Sequence, residues 1–245
     1  MTTVLLVRHG RSTANTARVL AGRTPGIDLD ETGRGQASRL GDALREVELA
    51  AAVTSPLERC RQTAELILAG RGLEPVVEPE LTECDYGEWT NRSLGELAKE
   101  DLWRTVQAAP SAVTFPGGES MTAMAARGVA AIRAHAARVA AEHGPNAVWL
   151  AVSHGDVIKA ILADALGLHL DQFQRISTHP AGLSVLSTLD GRTRVLTLNA
   201  GTDVAALVPR APVGEGTPGG DVDDPTEPGA GSPAEESGVA AGGGA

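Results

Sequence analysis

The sequence predicts an α/β fold, a three-layer α/β/α arrangement around a mostly parallel central sheet. Short apolar runs alternate with segments of helical periodicity, a pattern typical of parallel sheets with helices on both faces. Two of these runs, VLLV at 4–7 and AVWLAV at 147–152, are continuously apolar, as strands buried on both faces are. One residue after each run comes a His-Gly pair.

The elements alternate along the chain. The predicted strands are 4–7, 51–55, 75–78, 147–155, 182–188 and 193–198. The predicted helices have apolar stripes and cover 37–47, 56–70, 94–106, 121–139 and 156–167. Gly167 is a suitable C-terminal cap, and Asp190-Gly191 predicts the turn between the last two strands. Residues 82–118 are otherwise expected to be irregular.

The helix after the second strand has a recognisable start. Ser55 is expected to be its N-cap, Pro56 its first residue and Glu58 the partner in a capping box. Arg59 then lies in the first turn, where the helix dipole disfavours a positive charge. A bound anion close to this helix start would offset that cost.

The chain divides into one domain, residues 1–210, and a tail, residues 211–245. The tail is rich in Gly, Pro and Ala and contains seven acidic residues but no Lys or Arg. Such a segment buries too little apolar surface to offset the entropy of ordering, so we predict that it is disordered. The domain has 24 acidic and 21 basic residues, so the net charge of −10 misrepresents it.

Several partners and locations are disfavoured by composition. The nearly neutral domain has no basic cluster, so no nucleic-acid partner is expected. No apolar run approaches the length of a membrane span, and the first residues lack the pattern of a signal peptide. Two cysteines, Cys60 and Cys84, without CxxC spacing indicate a reducing compartment, so we expect a cytoplasmic protein. The sequence does not indicate an oligomeric state.

The two His-Gly pairs predict a ligand site. Carboxyl ends of strands in open α/β sheets are where ligands bind, so His9 and His154 are expected at one edge of the sheet. Arg8 follows a buried strand, where a charge is costly unless it is paired or faces a ligand. The guanidinium group suits phosphate because it donates parallel hydrogen bonds. Together with Arg59, these residues predict a phosphoryl pocket.

Most other histidines and both cysteines are expected to be structural. His135 and His143 lie on the long helix and are expected at its surface or edge. Cys60 belongs to an apolar stripe and should be in the core, whereas Cys84 adjoins Glu83.

Five motifs in order carry a family resemblance. LLVRHG, SPLERCRQTA, LTECDYGEW, PGGES and VSHG resemble the histidine phosphatase superfamily, in its phosphoglycerate-mutase-like branch, over roughly residues 3–200. Within it, the chain is most similar to small actinobacterial proteins described as phosphatases or phosphomutases. The resemblance implies a phosphoglycerate mutase-like fold and a small phosphorylated metabolite as substrate.

The resemblance also implies residue roles. His9 would become phosphorylated, and Glu83 would protonate the leaving oxygen and later deprotonate water. The phosphoryl oxygens would be held by Arg8, Asn15, Arg59 and His154. No metal or other cofactor is expected, since these groups supply the positive charge and hydrogen bonds. Arg11 and the segment IDLDETG depart from the commoner family pattern, which leaves the substrate undefined.

Hydrolysis is the favoured activity, and a phosphomutase using the same phosphohistidine is the alternative. A mutase must exclude water from the intermediate, and only 35 residues separate Glu83 from Glu119 as a possible cover. A non-catalytic module that binds phosphorylated ligands is a second alternative, disfavoured because both His9 and Glu83 are present. Zinc bound by His9, His154 and Glu83 is a third, disfavoured because neighbouring arginines would repel the metal.

Overall fold

The computed structural model describes residues 2–189, 192–201 and 219. The strands are β1 (Thr2–Arg8), β2 (Ala51–Thr54), β3 (Val76–Val77), β4 (Val148–Ser153), β5 (Leu183–Leu189) and β6 (Arg192–Ala200). The helices are α1 (Thr13–Ala17), α2 (Glu31–Ala43), α3 (Glu58–Ile67), α4 (Leu94–Leu97), α5 (Asp101–Ala108), α6 (Met121–His143) and α7 (Gly155–Ala165). The predicted turn at Asp190-Gly191 and, apart from Gly219, the predicted tail 211–245 lie outside the described residues.

The six strands form one sheet in the order β3-β2-β4-β1-β5-β6. The pairs β3–β2, β2–β4 and β4–β1 are parallel, whereas β5 runs antiparallel to both β1 and β6. The predicted α/β class and mostly parallel sheet are therefore confirmed. Within the described part of the chain, no helix combines the length and apolar character needed to span a membrane.

Alternate residues of each central strand face two different cores. Val4 and Leu6 of β1 pack in the larger core, which contains apolar side chains of α6 and α7. Leu5 and Val7 pack in the smaller core with residues of α2 and α3. Helices therefore cover both faces, which explains why the strand sequence is apolar without alternation.

Pairing of β1 with β4 aligns the two strand ends. Arg8 is the register partner of Ser153, and the His9 backbone N–H donates to the Ser153 carbonyl over 3.0 Å. The residues that follow, His9 and His154, therefore leave the sheet side by side. Strand β2 ends beside them, since the Ser55 N–H donates to the Val152 carbonyl over 2.9 Å.

Several predicted elements differ in detail. The N-cap of α3 is Leu57 and not Ser55, because the Ser55 hydroxyl is engaged by a histidine instead. The single helix expected at 94–106 is two helices, α4 and α5. His135, predicted at the surface or edge of the long helix, is buried, with its ring nitrogen Nε2 2.7 Å from a carboxylate oxygen of Glu78.

Other predictions are confirmed. The long helix buries the expected face, formed by Met121, Met124, Gly128, Ile132, Ala136 and Val139. Gly167 follows α7 with φ of 68°, the left-handed conformation of a C-terminal cap.

The loop after β1 is pressed against the start of α2. Arg11 Nε donates to Asp30 Oδ2 over 2.7 Å, so the unusual Arg11 and the unusual IDLDETG segment pair with each other. A Cβ atom on Gly33 would lie 2.0 Å from the Arg11 carbonyl oxygen, and one on Gly10 would lie 2.5 Å from the Gly33 carbonyl oxygen. Glycine at both positions therefore permits the close approach that fixes the chain next to His9.

We expect Gly33→Ala and Gly35→Ala, both in α2, to change stability in opposite directions. Gly33→Ala should lower the free energy of unfolding by about 1–3 kcal/mol, since its Cβ overlaps backbone atoms that cannot move freely. Gly35→Ala should raise it by about 0.5–1 kcal/mol, because its nearest neighbour is the flexible end of Arg39. Urea unfolding measures both, and equal values for the two variants would contradict this packing.

Candidate active site

The candidate site lies where the carboxyl ends of β1, β2 and β4 meet the first turns of α3 and α7. His9 follows β1, Ser55 follows β2 and His154 follows β4. Arg59 is the second residue of α3, so the predicted placement of a cation at this helix start is confirmed. All of these side chains are buried.

His9 is held in one tautomer. Its Nδ1 lies 2.7 Å from the Gly10 carbonyl oxygen, which can only accept, so Nδ1 carries the proton. Arg59 Nε donates to His9 Nε2 over 3.3 Å, which requires a lone pair on Nε2. Burial, followed by the charges of Arg59 and Arg8, lowers the pKa of His9 well below its usual value. His9 is therefore a neutral imidazole with an electron pair on Nε2.

His154 stands against His9, with ring centroids 5.3 Å apart and planes inclined by 62°. Its Nε2 is 2.7 Å from the Ser55 hydroxyl oxygen and 3.3 Å from Cys60 Sγ. Burial is also the first cause that lowers the pKa of His154, followed by Arg59 and His9. Cys60 is in the core as predicted, where burial raises the pKa of its thiol to about 12, so it is not a thiolate.

Two guanidinium groups are buried in the same region. Arg8 Nη1 donates to the Thr178 carbonyl over 2.6 Å, and Arg59 Nη2 donates to the Gly22 carbonyl over 2.8 Å. These carbonyls fix the position of both groups. Arg59 Nη1 is buried without a hydrogen-bond acceptor among the described residues. A buried donor of this kind is costly unless a ligand supplies the acceptor.

Asn15 is held by the cap of α1. Its Oδ1 accepts from the Ser12 N–H over 3.0 Å and from the Ser12 hydroxyl over 2.8 Å. Because the oxygen is engaged, the amide nitrogen is the group that Asn15 can offer to a ligand.

Glu83 is positioned through its backbone. The Glu83 carbonyl accepts from Arg23 Nε over 2.9 Å and from Arg127 Nη2 over 3.1 Å. Both arginines also bind Glu119, which accepts from the Asp85 N–H over 2.9 Å. The PGGES segment therefore acts behind the site and anchors the loop that carries Glu83.

The Glu83 carboxyl lies beside a second buried acid, Asp156. Burial, followed by the charge of Asp156, raises the pKa of Glu83 to about 7. Asp156 Oδ2 accepts from the Tyr86 hydroxyl over 2.7 Å and from the Gly219 N–H over 2.9 Å. Among the described residues, the Glu83 carboxyl group accepts one hydrogen bond, from the Cys84 N–H. Since hydrogen bonds to a carboxylate favour its ionised form, Asp156 is the anion and Glu83 holds the proton.

Most of the predicted residues border one cavity of about 30 Å³, room for one or two water molecules. Its lining includes His9, Asn15, Arg59, Glu83, Tyr86 and Gly219. His154 is adjacent through its ring contact with His9, and Arg8 through a hydrogen bond from Nη2 to the Gly219 carbonyl over 3.1 Å. The structure thus brings together every residue that the resemblance implied. Gly219, which the resemblance did not imply, lies beside them.

Three site residues were not anticipated in these roles. Ser55 was expected to cap a helix, Tyr86 lies in the segment 82–118 that was expected to be irregular, and Asp156 was not singled out. Tyr86 is buried because its ring packs on Phe115, with centroids 5.0 Å apart. Asp156 did carry a signal, since an acid two residues after a strand-end histidine occupies the first turn of the next helix.

The arrangement suits transfer of a phosphoryl group. A neutral nitrogen nucleophile, buried cations and a protonated carboxyl lie around one cavity, and each has a role in such a reaction. Among residues 2–189, 192–201 and 219, no group of three His, Cys, Asp or Glu side chains has the arrangement of a metal site.

We expect Asp156→Asn to lower the pKa of Glu83 below about 7, because the variant removes the negative charge that opposes ionisation. The carboxyl ¹³C shift of Glu83, assigned with Glu83→Gln, measures this pKa. Asp101→Asn, which neutralises an exposed acid on α5, should leave it unchanged. A Glu83 pKa in Asp156→Asn at or above the value in the parent protein would contradict the assigned charges.

Known proteins are similar to this chain in sequence. The phosphoserine phosphatase 1 of Hydrogenobacter thermophilus is 31% identical over 205 residues, which cover 81% of this chain and 92% of the relative. A protein of Erwinia tasmaniensis named "Probable phosphoglycerate mutase GpmB" is 32% identical over 186 residues, covering 75% of this chain and 84% of the relative.

A solved structure is also similar to this chain in fold. The native structure of a mycobacterial glucosyl-3-phosphoglycerate phosphatase superposes with a TM-score of 0.71 at 25% identity and covers 81% of this chain and 98% of that one. The family model of the histidine phosphatase superfamily, branch 1, matches residues 4–201. Strand ends, buried imidazoles and family match agree, and the chain belongs to the histidine phosphatase superfamily.

Proposed function

We propose that this chain hydrolyses a small phosphomonoester through a phosphohistidine on His9, with Glu83 as general acid and base. One observation carries the proposal: His9 Nε2 has a lone pair, contacts Arg59 and shares a cavity with Glu83. Nucleophile, anion-binding group and proton donor are therefore within reach of one phosphoryl group. The relatives named above include phosphatases for phosphoserine and for glucosyl-3-phosphoglycerate, which supports a small phosphorylated metabolite as substrate.

In the first step, His9 Nε2 attacks phosphorus. The bond between Nε2 and phosphorus forms while the ester bond breaks, and Glu83 donates its proton to the leaving oxygen. The Gly10 carbonyl accepts from Nδ1 throughout, so it stabilises the positive charge that the ring acquires. Arg8, Arg59, His154 and the amide of Asn15 hold the phosphoryl oxygens and spread the charge of the transition state.

In the second step, water releases phosphate. The Glu83 carboxylate takes a proton from the water molecule as its oxygen attacks phosphorus, and the bond to Nε2 breaks. Glu83 is protonated again, and His9 returns to the neutral imidazole. A pKa of about 7 suits both directions of this proton transfer at neutral pH.

The phosphomutase alternative uses the same first step. Hydrolysis is preferred because the 35 residues between Glu83 and Glu119 provide little chain to exclude water from the intermediate. Zinc is disfavoured because Arg59 contacts the nitrogen that would have to bind the metal. We further propose a cytoplasmic location, supported by Cys60 and Cys84, which are buried as free thiols.

We expect His9→Ala to lower kcat/KM for phosphomonoester hydrolysis by about 10³-fold or more, because the nucleophile is lost. His143→Ala, which changes an exposed histidine at the end of α6, should keep the activity of the parent protein. After brief reaction with a ³²P-labelled ester, the parent protein should hold acid-labile, alkali-stable label and His9→Ala none. A His9→Ala variant as active as the parent would overturn the mechanism.

We also expect steady release of inorganic phosphate in buffer that contains EDTA and no bisphosphorylated primer. Water is the acceptor in the proposed second step, and no metal takes part. The measurement is phosphate release with a panel of small phosphomonoesters. Release only with primer would identify a phosphomutase, and release that needs added zinc would restore the metal alternative.

A further inference from the structure

Gly219 lies beside the catalytic residues and hydrogen-bonds to two polar side chains there. Its N–H donates to Asp156 Oδ2 over 2.9 Å, and its carbonyl accepts from Arg8 Nη2 over 3.1 Å. Gly219 also borders the cavity lined by His9 and Glu83. One peptide unit therefore bridges a phosphate-binding cation and a buried carboxylate that serves neither as nucleophile nor as proton donor in the proposed phosphoryl transfer.

A phosphoryl oxygen that binds Arg8 Nη2 takes the place of the Gly219 carbonyl, which accepts from that nitrogen. The cavity beside Gly219 has a volume of about 30 Å³, room for one or two water molecules. When Gly219 leaves, a phosphoryl oxygen can take over the hydrogen bond from Arg8. Asp156 then loses its N–H donor and retains the hydrogen bond from the Tyr86 hydroxyl.

Asp156 is fully buried, so losing a donor is expensive. Its other oxygen, Oδ1, has no hydrogen-bond partner among the described residues. Lys159 and Arg8 are the cations that act on Asp156, and both favour its ionised form. A buried carboxylate with fewer donors than it can accept binds a donor strongly, most of all a charged one.

Resting on the proposed function, we infer that Asp156 is a specificity-determining residue that selects phosphomonoesters whose leaving group carries a hydrogen-bond donor. A primary ammonium group fits best, because it pairs with the carboxylate charge and has several N–H groups for the two oxygens. A hydroxyl group on the leaving group can also donate to the Asp156 carboxylate, but it carries no charge and so binds more weakly. A purely apolar leaving group leaves the carboxylate with an unmet hydrogen bond.

The test compares two substrates of nearly equal shape, 2-aminoethyl phosphate and propyl phosphate, with the full chain. The ratio of their kcat/KM values should favour the amine by about tenfold or more, the effect of one charged hydrogen bond. In Asp156→Asn the ratio should fall by about the same factor. Changes common to both substrates, including any change in the Glu83 pKa, cancel in this ratio.

Two controls separate this role from a structural one. Gly219→Ala disturbs the Gly219 contact, because Gly219 has a φ of 83° and the added Cβ would lie 3.2 Å from Leu20 Cδ1, but it should leave the ratio unchanged. If Asp156→Asn does not fold, 2-(trimethylammonio)ethyl phosphate tests the unmodified protein, because this substrate has the charge without an N–H. It should lose the advantage of the primary amine.

The outcomes are distinct. Equal kcat/KM values for the amine and propyl esters, or a Gly219→Ala variant that lowers the ratio as much as Asp156→Asn, contradict the inference. Hydrolysis of both esters with a phosphohistidine on His9 leaves the proposed function intact in those cases. A protein that hydrolyses no ester and forms no phosphohistidine contradicts both.

Discussion

The structure depends on the parallel pairing of β1 with β4 in the register that joins Arg8 to Ser153. This register places His9 and His154 side by side at adjacent strand ends, with their ring centroids 5.3 Å apart. Both faces of these strands are covered by helices, so the histidines and the neighbouring arginines are buried. Imidazoles that are buried beside cations remain neutral, and cations that are buried there need an anion. Burial at these strand ends therefore explains both the neutral nucleophile and the affinity for phosphate.

Charge balance explains the acidic side of the site. Glu83 and Asp156 are both buried, and burial raises the pKa of each; the charge of Asp156 is the second cause that raises the pKa of Glu83, so Glu83 keeps the proton. The Tyr86 hydroxyl binds Asp156 and leaves Glu83 as the acid. Glu83 is in turn anchored through its backbone by Arg23 and Arg127, which bind Glu119. The loop that carries Glu83 therefore has a fixed position, while the proton on the Glu83 carboxyl remains transferable at neutral pH.

Much of the fold and the site could be predicted because the signals are local. Apolar runs that end in His-Gly predicted β1, β4 and their histidines, and Arg59 in a first turn predicted an anion site. Contacts over long separations could not be predicted in this way. Ser55 satisfies every local rule for an N-cap, yet its hydroxyl binds His154, 99 residues away. Tyr86 lies in an irregular segment, and its burial depends on Phe115 and on Asp156. The pairing of Arg11 with Asp30 likewise emerges only when the loop after β1 meets α2.

A crystal structure of the full chain with orthovanadate tests the central claim most directly, because vanadate adopts the geometry of a phosphoryl group in transfer. The account predicts vanadium bonded to His9 Nε2, with oxygens bound by Arg8, Arg59 and His154 and one oxygen facing Glu83. Vanadate bound elsewhere in the crystal, or coordinated by a residue other than His9, would contradict it.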